Sequence, residues 1–310
     1  MKKFIFIIIL FSSCTKEFAF QKEFEKKINI AGFLKANDTI HILVSYTLDN
    51  NSCEIADDKY IKDAVIYLYE DDLFVEQLVY DTINDINYNN KGYYKSQKTT
   101  CKENKNYSLK VFVKGFDTLY AKTYCPAILC IDSTHTKIKR DSNINGYFFR
   151  INSKIFFKDI YKEKNFFNFN NRGVFTCYDP VIETKKTDGF YFSMYPNTID
   201  ENKCIFSDSL FKNSTYYLDI NQDITEGYMN LVINSAKKFC VPISLEVISY
   251  DAFMYYKTLF WYRKTVFNPL TELVQIYSNI KNGTGIFAGY SSYSDTITIT
   301  KEMLQLKKTN

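Results

Sequence analysis

Short runs in which apolar and polar residues alternate recur along this chain, and a period of two specifies strands rather than amphipathic helices. Ile40, Ile42 and Val44 alternate with Thr39, His41 and Leu43. Residues 63–69 are apolar on both faces, and Glu70-Asp71-Asp72 turns them into 73–78. Within 107–113, Leu109, Val111 and Val113 share one face before Lys114-Gly115 breaks the run ahead of 118–123. Successive strand side chains point to opposite sides, so each run offers one face to a core. Short strands with regular turn signals over residues 28–130 predict an immunoglobulin-like β-sandwich, closed by Cys125-Pro126.

The polar stretch 131–146 reads as a linker, and residues 147–310 as a second β-rich domain with one or two short helices. Its expected strands are 147–157, 190–195, 216–220 and the alternation of Val241, Ile243, Leu245 and Val247. Residues 165–171 read as an Asn/Phe-rich loop. Ser249 is positioned to cap a helix over 250–264, with Phe253, Tyr256 and Phe260 on one stripe. Asn268-Pro269 ends it, and 273–280 and 296–300 read as closing strands. The fold class is therefore mainly β.

The amino terminus carries a different signal. Lys2 and Lys3 precede the apolar run of residues 4–11, and Ser12-Ser13-Cys14 follows. Charge, apolar run and small residues are the three parts of a secretory signal over 1–13. A membrane span needs about 20 apolar residues, so this short run does not make one. Cysteine after two small residues resembles the bacterial lipobox. The expectation is a lipidated Cys14, a tether over 14–27 and an outer-membrane location on the periplasmic or cell-surface face. The competing reading is cleavage nearby that leaves Cys14 a plain thiol. Lipid chains hold at about 0.8 kcal/mol per buried CH₂, and two or more anchor stably.

Removal of residues 1–13 takes away Lys2 and Lys3, so the formal charge falls from +4 to +2. That balance carries no electrostatic footprint for nucleic acid. The basic run Lys137-Ile138-Lys139-Arg140 reads as a solvated face. Aromatic residues make up 17% of the chain, and they serve either as strand and core material or as platforms for glycans.

Besides Cys14 there are Cys53, Cys101, Cys125, Cys130, Cys177, Cys204 and Cys240. That number is odd, export permits disulfides, and the spacing leaves the pairings open. Without Cys-x-x-Cys, and with only His41 and His135, a Cys/His metal site is not expected.

Gly283-x-Gly285-x-x-Ala288 lacks the βαβ setting of a dinucleotide site, so no cofactor is expected and the glycines read as a tight loop between strands. Asp57-Asp58 and Glu70-Asp71-Asp72 read as acidic turns rather than calcium loops. No Gly-x-Ser-x-Gly elbow, His-Glu-x-x-His or P-loop occurs, and no catalytic residue is assigned. His135, beside Thr134 and Thr136, reads as a solvated linker residue and His41 as a strand residue.

Residues 277–290, Tyr-Ser-Asn-Ile-Lys-Asn-Gly-Thr-Gly-Ile-Phe-Ala-Gly-Tyr, resemble the closing signature of DUF4249, a Bacteroidota family of unknown function. Residues 63–70, Gly92-Tyr93-Tyr94, 106–111, 206–211 and the helix at 249–259 also fit it. The resemblance implies an outer-membrane lipoprotein encoded beside TonB-dependent receptors, and brings no catalytic residues. The function expected is a non-enzymatic, lipid-anchored accessory or binding subunit, with a TonB-dependent receptor as partner. Its expected contact loop holds Asn279, Asn282, Gly283, Gly285, Phe287 and Tyr290, with Tyr293, because loops on β scaffolds carry recognition. The competing reading is that this loop only packs the second domain. An alternative function is a surface glycan-binding or adhesive module with exposed Tyr, Phe or Trp261 on one face. A third is an envelope hydrolase, which requires a pocket with converging carboxylates or a histidine.

Overall fold

The computed structural model describes residues 25–48, 59–82, 92–144, 146–158, 164–170, 173–178, 185–192, 195–196, 205–211, 214–227, 238–266, 268, 271–272, 274–300 and 302–303. The signal segment, Cys14, Cys53, Asp57-Asp58 and Cys204 lie outside them. The first strands are β1 (Ile28–Lys35), β2 (Thr39–Tyr46), β3 (Val65–Glu70), β4 (Leu73–Gln77), β5 (Val79–Thr82), β6 (Gly92–Thr100), β7 (Lys105–Phe112) and β8 (Leu119–Cys125). Next come β9 (Ser133–Asn143), β10 (Gly146–Lys158), β11 (Phe166–Asn170), β12 (Gly173–Tyr178), β13 (Lys185–Phe192), β14 (Tyr195–Pro196) and β15 (Ile205–Ser207). The chain closes with β16 (Thr215–Thr225), β17 (Lys238–Ile248), helix α1 (Tyr250–Thr265) and β18 (Thr284–Thr300).

Eight strands make one sheet in the order β15-β11-β17-β18-β1-β2-β6-β5. Two four-stranded sheets, β4-β3-β7-β8 and β14-β16-β10-β9, pack on it, and β12 and β13 pair with each other. The first core lies between β1, β2 and β6 on one side and β3, β7 and β8 on the other. Ile30, Ile42, Ile66, Leu68, Leu109, Val111 and Leu119 fill it. This is the expected sandwich, and the alternation builds it: β8 reads buried and exposed in strict turn. The buried Glu76 of β4 ties the two sheets together. Its carboxylate accepts backbone N–H groups of Gln97 (2.9 Å) and Thr99 (3.0 Å) in β6. The second core, between β9, β10, β16 and β11, β17, β18, holds Ile151, Ile155, Phe157, Phe167, Phe169, Leu218, Leu245 and Ile297.

β18 belongs to both sandwiches. Its residues 284–290 run parallel to β1, from Asn29 opposite Thr284 to Lys35 opposite Tyr290. Residues 290–300 run antiparallel to β17, from Ile248 opposite Tyr290 to Lys238 opposite Thr300. The strand changes partner at Tyr290, whose carbonyl accepts the N–H of Ala36 at 2.8 Å. Phe287 points into the first core, Ile297 and Ile299 into the second, and Ile286 and Ala288 face α1.

The domain division read from sequence changes accordingly. The stretch expected as a linker contains β9, paired along its length with β10. Ile138 is its one buried residue, so the strand reads as polar. The expected loop at 165–171 is largely β11, which sends Phe166 to the helix side and Phe167 and Phe169 into the second core. Residues 274–280 are not strand, and the chain there lies beside α1, where the Tyr277 N–H donates to the Thr258 hydroxyl at 2.8 Å.

Helix α1 starts where Ser249 accepts the Ala252 N–H at 3.2 Å, as the cap position requires. Tyr256 stacks on Phe33 of β1 (centroids 5.7 Å apart), and Phe253 packs on Phe166 (4.6 Å). Among the described residues no helix is long and apolar enough to cross a membrane.

At Gly285, near the start of β18, there is no room for a side chain. Gly285 sits at φ +111°, and a Cβ there would lie 2.0 Å from the Ile30 carbonyl oxygen. Gly115, at φ +83°, has open space around it. Gly285→Ala is therefore expected to cost about 2–4 kcal/mol and Gly115→Ala about 1 kcal/mol. Urea unfolding followed by circular dichroism measures both, and equal losses would contradict the close seating of β18.

Candidate functional site

The sheet β4-β3-β7-β8 covers the first core with one face and leaves the other open. Register sets what that open face shows. Tyr67 of β3 stands opposite Lys110 of β7, and Lys110 opposite Tyr120 of β8. One row along, Tyr69 stands opposite Ser108, and Ser108 opposite Lys122. Rings join the rows: Tyr67 meets Phe74 at 5.9 Å and Phe112 at 5.8 Å between centroids, and Tyr69 meets Phe74 at 5.8 Å. The Lys110 ammonium sits 5.3 Å from the Phe112 ring and 5.8 Å from that of Tyr120. On this face Phe74 is 58% exposed and Tyr120 43%. Isolated exposed apolar residues are ordinary, but a contiguous group on one face marks a contact surface.

A groove of about 470 Å³ runs along this face between Tyr69, Ser108, Lys110 and Tyr120, and reaches Asp72, Lys122 and Asn279. Lys122 donates to Asp72 at 3.1 Å, and Lys105 pairs with Asp71 at 2.6 Å. The Lys105 ammonium holds the Asp71 carboxyl below its usual range, helped by the Asn106 N–H. The acidic turn thus pairs with neighbouring lysines.

The groove's far edge is the tail segment. Asn279 acts as a bracket: its side chain accepts the Phe287 N–H (3.0 Å) and donates to the carbonyls of Phe287 (2.7 Å) and Lys122 (3.1 Å). Behind it, Asp251 of α1 accepts from the hydroxyls of Tyr277 (2.8 Å) and Thr123 (3.1 Å). Thr123 in turn accepts the Gly289 N–H at 3.2 Å. Burial raises the Asp251 carboxyl above its usual range, and the bonds from Tyr277, Thr123 and Asn279 hold that rise back. Burial, with Asp251 beside it, pushes the Tyr277 hydroxyl up as well.

Most of the expected contact residues turn toward the protein itself. Asn282 donates to the Thr118 carbonyl at 2.9 Å, Gly283 lies against Leu119 and the Ile28 carbonyl, and Gly285 against Ile30. Phe287 is fully buried, Tyr290 packs on the α1 side and Tyr293 on the second core. Asn279 alone among them lines the groove. The expected loop is mostly strand, since residues 284–290 belong to β18. Sequence reading passed over the aromatic face, although Tyr67, Tyr69, Phe112 and Tyr120 occupy the outward parity of their strands.

Two other surfaces hold aromatic side chains. A cleft of about 590 Å³ separates the sandwiches between Asn104, Tyr124, Pro126, Lys164, Phe166 and Tyr250. On β9, β10 and β16, Phe156 meets His135 (5.3 Å) and Tyr217 (5.5 Å). His135 is thus a strand residue held against a ring, and His41 packs at a tilt on Tyr93 at 4.6 Å. Neither histidine lines either cleft. Among the described residues, no three His, Cys, Asp or Glu side chains are grouped to hold a metal.

A family model described as a domain of unknown function, DUF4249, matches residues 15–296. The chain belongs to the DUF4249 family. No curated protein matches it. The DUF4249 segments have visible structural work: residues 277–290 seat β18, and in 206–211 Phe206 and Phe211 join the second core around Phe157. Asp208, between them, accepts the Asn165 N–H at 2.9 Å and fixes the start of β11.

The Asp251 cluster generates a pH prediction. A carboxyl whose folded pKa is raised binds its proton more tightly in the native state. Its contribution is therefore complete below the unfolded value of about 3.9 and is lost as pH rises through the folded value. The stability gap between wild type and Asp251→Asn is expected to shrink as pH rises from 3.5 to 7 in urea titrations. A gap that widens would contradict the burial of this group.

Proposed function

We propose that this DUF4249 protein is a non-enzymatic, lipid-anchored binding subunit of the outer membrane that presents the open face of β4-β3-β7-β8 to a TonB-dependent receptor. The observation that carries the reading is the contiguous group of Phe74, Tyr67, Tyr69 and Phe112, joined through Lys110 to Tyr120, with Phe74 and Tyr120 exposed. Aromatic anchors surrounded by paired lysines and acids are the composition of a protein contact surface. The signal segment, Ser12-Ser13-Cys14 and the polar residues after it support attachment through Cys14. That β1 begins at Ile28 supports this reading, in which residues 15–27 would serve as the tether.

A second reading is favoured by the groove itself. Tyr69 and Tyr120 flank a trough of about 470 Å³ whose polar edge is Asp72, Lys122 and Asn279, a form suited to a sugar ring stacked on an aromatic face. Recognition of a surface glycan is therefore the alternative for the same site.

The test is affinity purification of the tagged protein from gently solubilised outer membranes, beside Cys14→Ala and a Phe74→Ser, Tyr120→Ser double variant. Co-elution of one TonB-dependent receptor, lost in both variants, is expected. Both exposed substitutions should leave thermal stability nearly unchanged, since surface changes cost within about 0.5 kcal/mol. A receptor retained by the double variant would remove the aromatic face from the account. Glycan-array binding weakened about tenfold or more by Tyr120→Ser, with no receptor recovered, would transfer the face to the second reading.

A further inference from the structure

Cys101 and Cys125 occupy corresponding corners of the two sheets of the first sandwich. Cys101 directly follows β6 in the large sheet, and Cys125 ends β8 in the small one. Both are fully buried in the first core. Backbone bonds fix each in place: the Cys101 N–H donates to the Asp38 carbonyl (2.9 Å), its carbonyl accepts the Asn37 N–H (2.7 Å), and the Cys125 carbonyl accepts that of Asn104 (2.8 Å). The two thiols are free in the structure and lie close enough to influence each other. The Cys125 sulfur also lies 3.7 Å from the Tyr290 carbonyl oxygen, where β18 changes partner.

We propose that in the exported protein Cys101 and Cys125 are joined by a disulfide that staples the two sheets of the first sandwich beside the crossing of β18. The proposal rests on the export reading above, because such bonds persist in oxidising compartments. The thiolate of one cysteine attacks the disulfide of an envelope dithiol oxidase, and the second cysteine displaces the mixed disulfide. Two S–H bonds break, one S–S bond forms between the cysteines, and the oxidase leaves as a dithiol carrying the two electrons and two protons.

The site also dictates when this happens. Both sulfurs are shut away from solvent, and the neighbouring Cys125 together with burial pushes the Cys101 thiol above the ordinary thiol range. The bond therefore forms before the corner closes. Once buried, it lies out of reach of thiols in solution. Its effect falls on the unfolded chain, whose freedom it restricts between residues 101 and 125. Cys130, by contrast, is exposed five positions on.

The test is peptide mapping. Tagged protein recovered from cell envelopes is denatured in alkylating agent and digested without reduction. A peptide pair linking Cys101 to Cys125 is expected; it should survive reductant applied to the native protein and disappear when reductant is applied in denaturant. The Cys101→Ala, Cys125→Ala variant should unfold about 5 °C or more lower. Both thiols alkylated in envelope-recovered protein would overturn the disulfide and leave export standing. Both alkylated in protein recovered from the cytosol would overturn export instead. In that event, refolding the protein from denaturant with oxidised glutathione decides the pairing: a link upholds it, and two free thiols overturn it.

Discussion

Backbone passes against backbone where β18 crosses β1 and β8, and the joining of the two sandwiches depends on that fit. A Cβ on Gly289 would lie 2.4 Å from the Tyr124 carbonyl oxygen and 2.8 Å from the Cys125 Cα. With hydrogen there, the Gly289 N–H reaches Thr123, and the strand continues to Tyr290, where it leaves β1 and takes up β17. Ser291, fully buried, donates to the Ala127 carbonyl at 2.7 Å and holds the connecting chain against the same crossing. The large sheet is thus two half-sheets that share one strand and overlap in pairing at one residue.

Local patterns in the sequence correspond to local features of the fold. The alternations at 40–44, 107–113 and 241–247 are strands, and Ser249 caps the helix whose predicted span, 250–264, ends one residue before the observed Thr265. Pairing partners are a different matter, because a period of two states that a strand exists and not what lies beside it. The glycines of 283–289 read as a loop for this reason, since their meaning is the approach of β8 from about 165 residues away in the chain and of β1 from about 255. β9 is polar on nearly every position because its outer edge faces water, so its composition matches a linker. β11 has apolar residues on both faces, which hides alternation altogether.

The same distinction governs the candidate site. Conspicuous sequence features such as the Gly-rich tail serve the architecture, whereas the open aromatic face is assembled from scattered residues on four strands. The tail is not irrelevant to recognition, however. Asn279 lines the groove and is held by Phe287 and Lys122, and the Asp251–Tyr277–Thr123 cluster secures it from behind. A rigid core strand therefore positions one edge of the surface, the condition under which a shallow site keeps a defined shape.

Shared ownership of β18 makes a thermodynamic claim: neither sandwich opens without the other. Native-state hydrogen exchange read at residues 286–290, at Ile66 and Val111 in the first core, and at Ile155 and Leu245 in the second tests it most directly. All three groups should exchange through one global opening with a common free energy and a common dependence on urea. Two separate free energies, one for each sandwich, with 286–290 following the lower, would show that the strand merely bridges two independent domains.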